Sequence, residues 1–450
     1  MRRPTVRAAT LPVPGFGPRQ WLTLAAAWAG WGFDIYDALL FNFVAPNCIP
    51  ALLHLPAGSA AAHAAVVFWT GIVTAALLLS WAAGGVLFGW LGDRIGRKQA
   101  LFATVAIYAL GTGLCACVTG IGQLILCRIL AGLGIGGEWG VGATLVAEVV
   151  PETRRVEAGV LMQTASPLGI ALATLVNYQV AGVWFADRPA SSWRYVFLAG
   201  LLPLALALAV RLFLTESERW RESRAARARP PSPRELFAPD LRRATVSGLF
   251  VAVAAVLTWW GCNAFVPLLG STLAGEQAAG SGLSPAAARA LATAWAGHGA
   301  NAFNLGGLLG ALAVIPLARR LSRRRLFIAY FVFSALAIAV TFGADLAPQW
   351  RLNLLLLAGA GVYGVFGILT FYLPELFPAR LRATGAGLCY NLGRVAAAFG
   401  PALVGAVTAA AGGSSRALTS MLVWVALVPL VAAVSVPALV IETRGRALEG

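Results

Sequence analysis

Long apolar runs, each interrupted by a short polar or basic segment, dominate the chain. One crossing of a bilayer needs about 20 predominantly apolar residues. On that basis the sequence predicts helices near residues 21–45, 65–91, 99–118, 121–149, 156–183 and 193–214. A polar stretch follows from Thr215 to Arg243, and six more helices fall near 244–271, 290–318, 324–344, 350–374, 382–410 and 417–441. The expected fold is an all-α polytopic membrane protein of twelve transmembrane helices in two six-helix bundles, 21–214 and 244–441. A basic tail at 1–20, a linker at 215–243 and a tail at 442–450 complete it, with both termini on one side of the membrane.

Composition narrows the class. Of 450 residues, 59% are hydrophobic and 12% charged, about half the charged fraction of an average soluble protein. A net charge of +16 would suit a nucleic-acid binder. The basic residues, however, sit in short segments between apolar runs, with no aromatic-interleaved basic face. They read as orientation signals. The N-terminal tail, the turn at 92–98, Arg154-Arg155, the linker, the Arg319–Arg325 cluster, Arg380, Arg382, Arg444 and Arg446 all fall on one side, which the positive-inside rule makes cytoplasmic. The opposite loop at 46–64 has no Lys or Arg. Residues 1–19 carry Arg2, Arg3, Arg7 and Arg19 but no apolar core, so a short cytoplasmic tail is expected rather than a cleavable leader. The single lysine, Lys98, among many arginines fits a GC-rich bacterial genome and hence the inner membrane. Six cysteines (Cys48, Cys115, Cys117, Cys127, Cys262, Cys389) form no metal or redox motif and read as packing residues. No metal and no cofactor is expected.

The two halves repeat each other. GIGGEWGVGATLVAEVVP (134–151) aligns without a gap to GVYGVFGILTFYLPELFP (361–378), pairing Glu148 with Glu375 and Pro151 with Pro378. GGVLFGWLGDRIGRK (84–98) has a degenerate echo in GALAVIPLARRLSRR (310–324), with Arg319 where Asp93 stood. Parallel six-helix repeats are what a two-bundle carrier requires.

Charges within a span need a partner, water or a purpose, which leaves Asp34, Asp37, Arg128, Glu138 and Arg394, with His298 a weaker sixth. Asp34 and Asp37 stand three residues apart on one helix face. Two such acids repel, so one is expected to hold a proton near neutral pH. At 1.5 Å per residue, Asp37 and Arg128 come out at about the same depth, so a carboxylate–guanidinium pair is feasible, either as a proton-controlled latch or as a static buried pair. Glu138 lies in a glycine run and has no counterpart in the second half, where Val365 stands, which points to proton relay or gate pairing. Arg394 has no acid near it in sequence. It is either a receptor for an anion or a contact between bundles, and Asn391, a turn away, could complete a site. Gln163, Asn177, Tyr178, Trp259, Trp260, Asn263, His298, Asn301 and Asn304 are mid-span polar or aromatic residues, some expected to line the cavity. The turn around Asp93 is the candidate gate. An apolar helix breaks there at Gly92-Asp93, Gly89 and Gly92 permit close approach, and Arg94 and Arg97 can pair with acids on neighbouring helices.

GWLGDRIGRK (89–98) resembles the signature loop between the second and third helices of the major facilitator superfamily, G-x-L-x-D-R-x-G-R-[RK]. RILAGLGIGGEWGVGATLVAEVVPETRR (128–155), with its GEWG tetrad, is similar to the fourth-helix signature of bacterial sialate/lactate-type and metabolite–proton symporters. The acid pair Asp34/Asp37, TESERW (215–220), PELFPARLRATGAG (374–387) and NLGR before Val395 are of the same type. The resemblance implies secondary active transport of a small organic anion with protons. Asp34, Asp37, Arg128 and Glu138 would couple the proton, and Arg394, Asn391, Gln163, Asn263 and Trp259 would bind substrate. Gly89, Asp93, Arg94, Gly96, Arg97, Glu148, Arg154, Glu375 and Arg382 would gate. Arg319 in place of the second acid departs from the pattern and puts a symmetric gate in doubt.

The reading is therefore a monomeric carrier, not an enzyme, that takes up a small carboxylate with protons by alternating access. A carrier or exporter of a neutral or zwitterionic solute and a sodium-driven mechanism stay open. A receptor or membrane enzyme fits poorly, since no Walker loop, HExxH or nucleophile elbow is present. A channel fits poorly for want of a filter-like loop.

Overall fold

The computed structural model describes residues 15–56, 59–185, 187–226, 232–263, 265–397 and 415–446, and among them there are helices and turns but no strand. Eleven helical stretches among the described residues are long and apolar enough to cross a membrane: Pro18–Leu52, Phe68–Ile95, Arg97–Cys117, Ile121–Val149, Glu152–Ala181, Ala190–Val210, Pro239–Ser281, Ala294–Arg320, Arg323–Gly343, Pro348–Glu375 and Leu418–Leu439. Each coincides with one expected span. The expected span at 382–410 is described only as the helix Arg382–Ala397. Its remainder lies outside the described residues, as do Arg2, Arg3 and Arg7, part of the 215–243 linker and the end of the C-terminal tail.

In chain order the helices are α1 (Pro18–Leu52), α2 (Ala60–Ile95), α3 (Arg97–Leu114), α4 (Ile121–Val149), α5 (Arg155–Gln163), α6 (Ala165–Asn177), α7 (Pro189–Ala199), α8 (Pro203–Phe213), α9 (Glu218–Ala225), α10 (Pro239–Asn263), α11 (Val266–Ser281), α12 (Pro285–Arg320), α13 (Arg323–Gly343), α14 (Pro348–Glu375), α15 (Arg382–Ala397), α16 (Ser415–Trp424) and α17 (Leu427–Leu439). Four expected single helices are broken, each next to a proline that cannot donate to the preceding turn. The fifth span parts at Thr164, ahead of Pro167. The sixth parts before Pro203, the seventh before Pro267, and the twelfth between Trp424 and Leu427, ahead of Pro429. The helix entering the basic turn does not break at Gly92-Asp93 as the sequence led us to expect. It continues to Ile95 and breaks at Gly96, whose φ of 112° favours a residue without a Cβ.

A side chain from far along the chain secures that break. Glu216, just after the sixth span, accepts the backbone N–H groups of Arg97 at 3.0 Å and Lys98 at 3.1 Å, capping α3. The second half uses the same device. Glu442, just after the twelfth span, accepts the N–H groups of Arg323 at 2.9 Å and Arg324 at 3.2 Å and caps α13. Free N–H groups at a helix start favour a carboxylate there.

Packing inverts the soluble pattern. Large apolar residues such as Leu126 and Val434 face outward, while Asp34, Asp37, Arg128 and Glu138 are fully buried. Backbone-close packing builds each half: α2 lies along α4, and α12 along α14. At Gly136 an added Cβ would overlap the carbonyl of Trp81, so the glycine run of α4 sets how near α2 can come. The halves meet through α2 and α4 against α15, and α5 against α12 and α14.

Candidate functional site

The predicted gating residues converge at the arginine-rich end. Asp93, near the end of α2, reaches across to the start of α15. It accepts the Thr384 N–H at 2.7 Å, the Thr384 hydroxyl at 2.6 Å and the Ala383 N–H at 3.3 Å. Arg97 bridges Asp93 and Glu148, both at 3.0 Å, and donates to the Ala379 carbonyl at 2.6 Å. Arg382 reaches the same Glu148 oxygen at 2.8 Å. These four charged side chains are fully sequestered. Gly89 lies against α15, where an added Cβ would sit 2.7 Å from the Ala383 carbonyl oxygen.

The second half carries a matching set. Arg323 pairs with Glu375 at 2.9 Å, and Arg155 reaches Glu375 at 3.4 Å. The register that lays Glu148 on Glu375 also lays Arg155 on Arg382 and Glu157 on Thr384. Where Asp93 meets Thr384, its counterpart Arg319 therefore meets Glu157, at 2.6 Å. The loss of the second acid is answered by an acid on the facing helix, with the polarity reversed. Two other predicted gating residues lie beside aromatic rings. Arg94 is exposed, with its guanidinium 5.2 Å from the Trp90 ring. Arg154 ends a short 3-10 turn and lies 5.9 Å from the Phe16 ring. That turn delivers the next residue, Arg155, to the interface instead.

Deeper in the first half, Arg128 on α4 pairs with Asp37 on α1 at 2.9 Å. It donates also to the Thr112 hydroxyl at 2.9 Å and to the Asp37 carbonyl at 3.3 Å, while Thr112 donates to Asp37. Asp37 is thus tied to a cation and a hydroxyl. Asp34, one turn away, is not. It faces Glu138 of α4 and lies within electrostatic reach of Arg394 and Asp37. Among the described residues no other group donates to the four carboxyl oxygens of Asp34 and Glu138, which lie within hydrogen-bonding reach of each other. Tyr108, whose buried hydroxyl is likewise without a partner, lies in electrostatic range of both acids.

Arg394 of α15 closes the cluster. Its guanidinium stacks over Trp81 of α2 at 4.0 Å and over Tyr390 at 4.5 Å, and donates to Asn391 at 2.6 Å. Among the described residues no carboxylate comes within salt-bridge distance of it. Tyr390 stacks in turn on Trp139 at 3.9 Å and meets Phe366 edge-on. Phe366 stacks on Tyr363 and touches Trp259 edge-on. Gln163 donates to the Tyr363 hydroxyl at 2.8 Å across the halves, leaving its Oε1 buried without a partner. Arg394, Asn391, Gln163 and Trp259 so belong to one aromatic-walled cluster. Asn263 sits a turn beyond Trp259, half-buried at the end of α10. Tyr178 and His298 face outward, and His298 meets Asn353 at 2.8 Å.

Reading the sequence passed over Trp81, Trp139, Tyr363 and Tyr390, because aromatic residues in an apolar span carry no mark that separates packing from a site. Arg155 and Glu157 could have been found, since the internal repeat already placed them opposite Arg382 and Thr384.

Residues 22–401 match the family model described as Major Facilitator Superfamily. A protein of Cupriavidus pinatubonensis named "Probable 4-methylmuconolactone transporter" is 31% identical over 96% of this chain and 93% of its own length. The sialic acid transporter of Escherichia coli is 25% identical over 86% and 87%. The structure of the proton:xylose symporter XylE bound to 6-bromo-6-deoxy-D-glucose superposes with a TM-score of 0.76 at 18% identity, covering 96% of this chain and 98% of that one.

Proposed function

The chain belongs to the Major Facilitator Superfamily and is a multi-pass membrane transporter, and on that premise we propose that it takes up a small organic anion together with protons. The observation that carries this reading is Arg394. A buried guanidinium stacked on two aromatic rings, with Asp34 in electrostatic range but no carboxylate in salt-bridge contact among the described residues, keeps its forked donors open to an anion. The flanking rings suit a small, flat or ring-bearing carboxylate. Relatives named for 4-methylmuconolactone and sialic acid are in keeping with that size and chemistry.

The Asp34–Glu138 pair supplies the proton site. Two carboxylate charges side by side in an apolar span cost several kcal/mol each. A proton between them removes one charge and provides the donor their oxygens lack. Asp37 and Arg128 hold the helices on either side in position. With the proton and the anion both bound, the cluster carries no added net charge. The bundles 21–214 and 244–441 then rock about it, tethered by 215–243. The arginine-rich end faces the cytoplasm of a bacterial inner membrane, and the Asp93–Arg97–Glu148–Arg382 layer, with its Arg323–Glu375–Arg155 counterpart, is the gate that parts as that side opens. The carrier works as a monomer.

The test is uptake of labelled lactate, sialate, benzoate and citrate into proteoliposomes under an inward proton gradient, with and without an uncoupler. Uncoupler-sensitive uptake of one acid supports the reading. Transport of a neutral solute with no acid carried would return Arg394 to packing, and uptake that follows sodium and ignores the uncoupler would remove the proton.

A further inference from the structure

A second site lies on the outside of the second half, away from the central cluster. Between α10 and α17 runs an apolar groove of about 590 Å³, walled by Val246, Phe250 and Val253 on one helix and Val428, Val431 and Leu439 on the other. At the arginine-rich end it opens into a second cavity, sharing Val246 and Leu439 with it, that is bordered by Arg242, Arg243 and Arg324. Apolar floor and basic mouth are one continuous surface.

Its dimensions fit one leaflet. From Arg243 to Ala254 the groove descends along α10 by about 16 Å at 1.5 Å per residue, close to the ~15 Å half-thickness of a bilayer's hydrocarbon core. The arginines therefore stand at headgroup level, with the groove reaching the midplane. The basic mouth is also prearranged. Arg324 is held by its Nε, which donates to the Val440 carbonyl at 2.6 Å. Arg242 and Arg243 have no carboxylate partner among the described residues. Of the acids nearby, Glu442 is spent on a helix cap and Glu375 on Arg323 and Thr443, while Asp240 borders a separate cavity on the other side of Arg243. Partial burial works against the charge of Glu442, but the backbone N–H groups of Arg323, Arg444 and Arg324 hold its carboxyl below the usual carboxylate range. Three guanidiniums at the top of a chain-sized apolar channel present forked donors to phosphate oxygens. A zwitterionic lipid would bring its own cation against them.

We infer that the α10–α17 groove is a binding site for an anionic phospholipid, its acyl chain along Val246, Phe250 and Val431 and its phosphate on Arg242, Arg243 and Arg324. The site is independent of what the carrier transports. The experiment is native mass spectrometry of the full chain, released from vesicles of phosphatidylglycerol and phosphatidylcholine in equal parts, counting each lipid retained. Phosphatidylglycerol should be retained in preference to phosphatidylcholine. Arg242→Gln with Arg243→Gln should lower its retention roughly tenfold or more, from the loss of charge-assisted hydrogen bonds to the phosphate. Val431→Trp, which fills the groove and leaves every charge in place, should lower it as well. Arg320→Gln with Arg325→Gln, which removes the same charge from the same face, should not. Equal loss in both arginine pairs would reduce the effect to general surface charge and overturn the site. Equal retention of the two lipids, or full retention by Val431→Trp, would overturn it too.

Discussion

Asp93→Asn tests whether the buried charge layer selects one arrangement of the two halves. The carboxylate of Asp93 takes two N–H groups and a hydroxyl from the start of α15 while pairing with Arg97 at 3.0 Å. Asparagine keeps the shape, but in either orientation its amide nitrogen would face a donor, Thr384 on one side or Arg97 and the Ala383 N–H on the other. Hydrogen bonds to a charged group are worth about 1.5–3 kcal/mol. Arg97 keeps Glu148 at 3.0 Å, so the loss stays near the lower end, about 2 kcal/mol. The part lost at Thr384 and Ala383 is not felt once α2 and α15 part, because those contacts span the two halves. A differential of that size shifts a two-state equilibrium roughly 30-fold. Spin labels at Gln99 on the α3 side and Arg325 on α13, both exposed at the arginine-rich end, report the separation by pulsed dipolar spectroscopy. We expect a new, longer distance in Asp93→Asn that is minor in the parent. An unchanged distribution with a lowered melting temperature would refute the reasoning, because the cap would then be a folding contact common to all states.

Four other substitutions separate the remaining roles. Glu157→Gln should move the same spin-label distances less than Asp93→Asn does. Its partner Arg319 has a side chain 63% exposed, and such pairs are worth below about 1 kcal/mol. Arg394→Lys should weaken binding of the transported anion about tenfold to a hundredfold, read by isothermal titration, because an ammonium neither stacks between Trp81 and Tyr390 nor forks a carboxylate; unchanged affinity would take the anion away from this residue. Asp34→Asn should abolish accumulation driven by a proton gradient while preserving exchange of labelled for unlabelled substrate. Asp37→Asn, by contrast, should lower thermal stability, by about 3–5 kcal/mol, since Arg128 would be left buried without its charge partner.

Much of the architecture was legible because a bilayer imposes length. Helices near 121–149 and 324–344 were placed to within a residue or two, since a span must be apolar for about 20 residues and must then stop. Depth was legible for the same reason: equal rise per residue put Asp37 and Arg128 at one level, where they meet. The breaks inside spans were harder to see. Thr164 and the start of α11 look like continuous apolar helix in composition, and only the proline ahead marks the bend. At the basic turn, the conspicuous Gly92-Asp93 drew the helix end too early. Gly92 and Asp93 remain helical, and Gly96 alone has the positive φ.

Local rules and internal repetition were enough to determine the spans, the arginine-biased face, the two related halves and the short roster of charges that a membrane interior tolerates only for a reason. Tertiary structure decided their partners. No spacing along the chain says that Arg394 lies on Trp81, more than three hundred residues earlier. Nor does any local rule distinguish Asp37, bound to Arg128 and Thr112, from Asp34, left facing Glu138. Those choices depend on which helix faces meet when two bundles close on one another. Such contacts form between residues remote in sequence, and neither composition nor periodicity encodes the pairing.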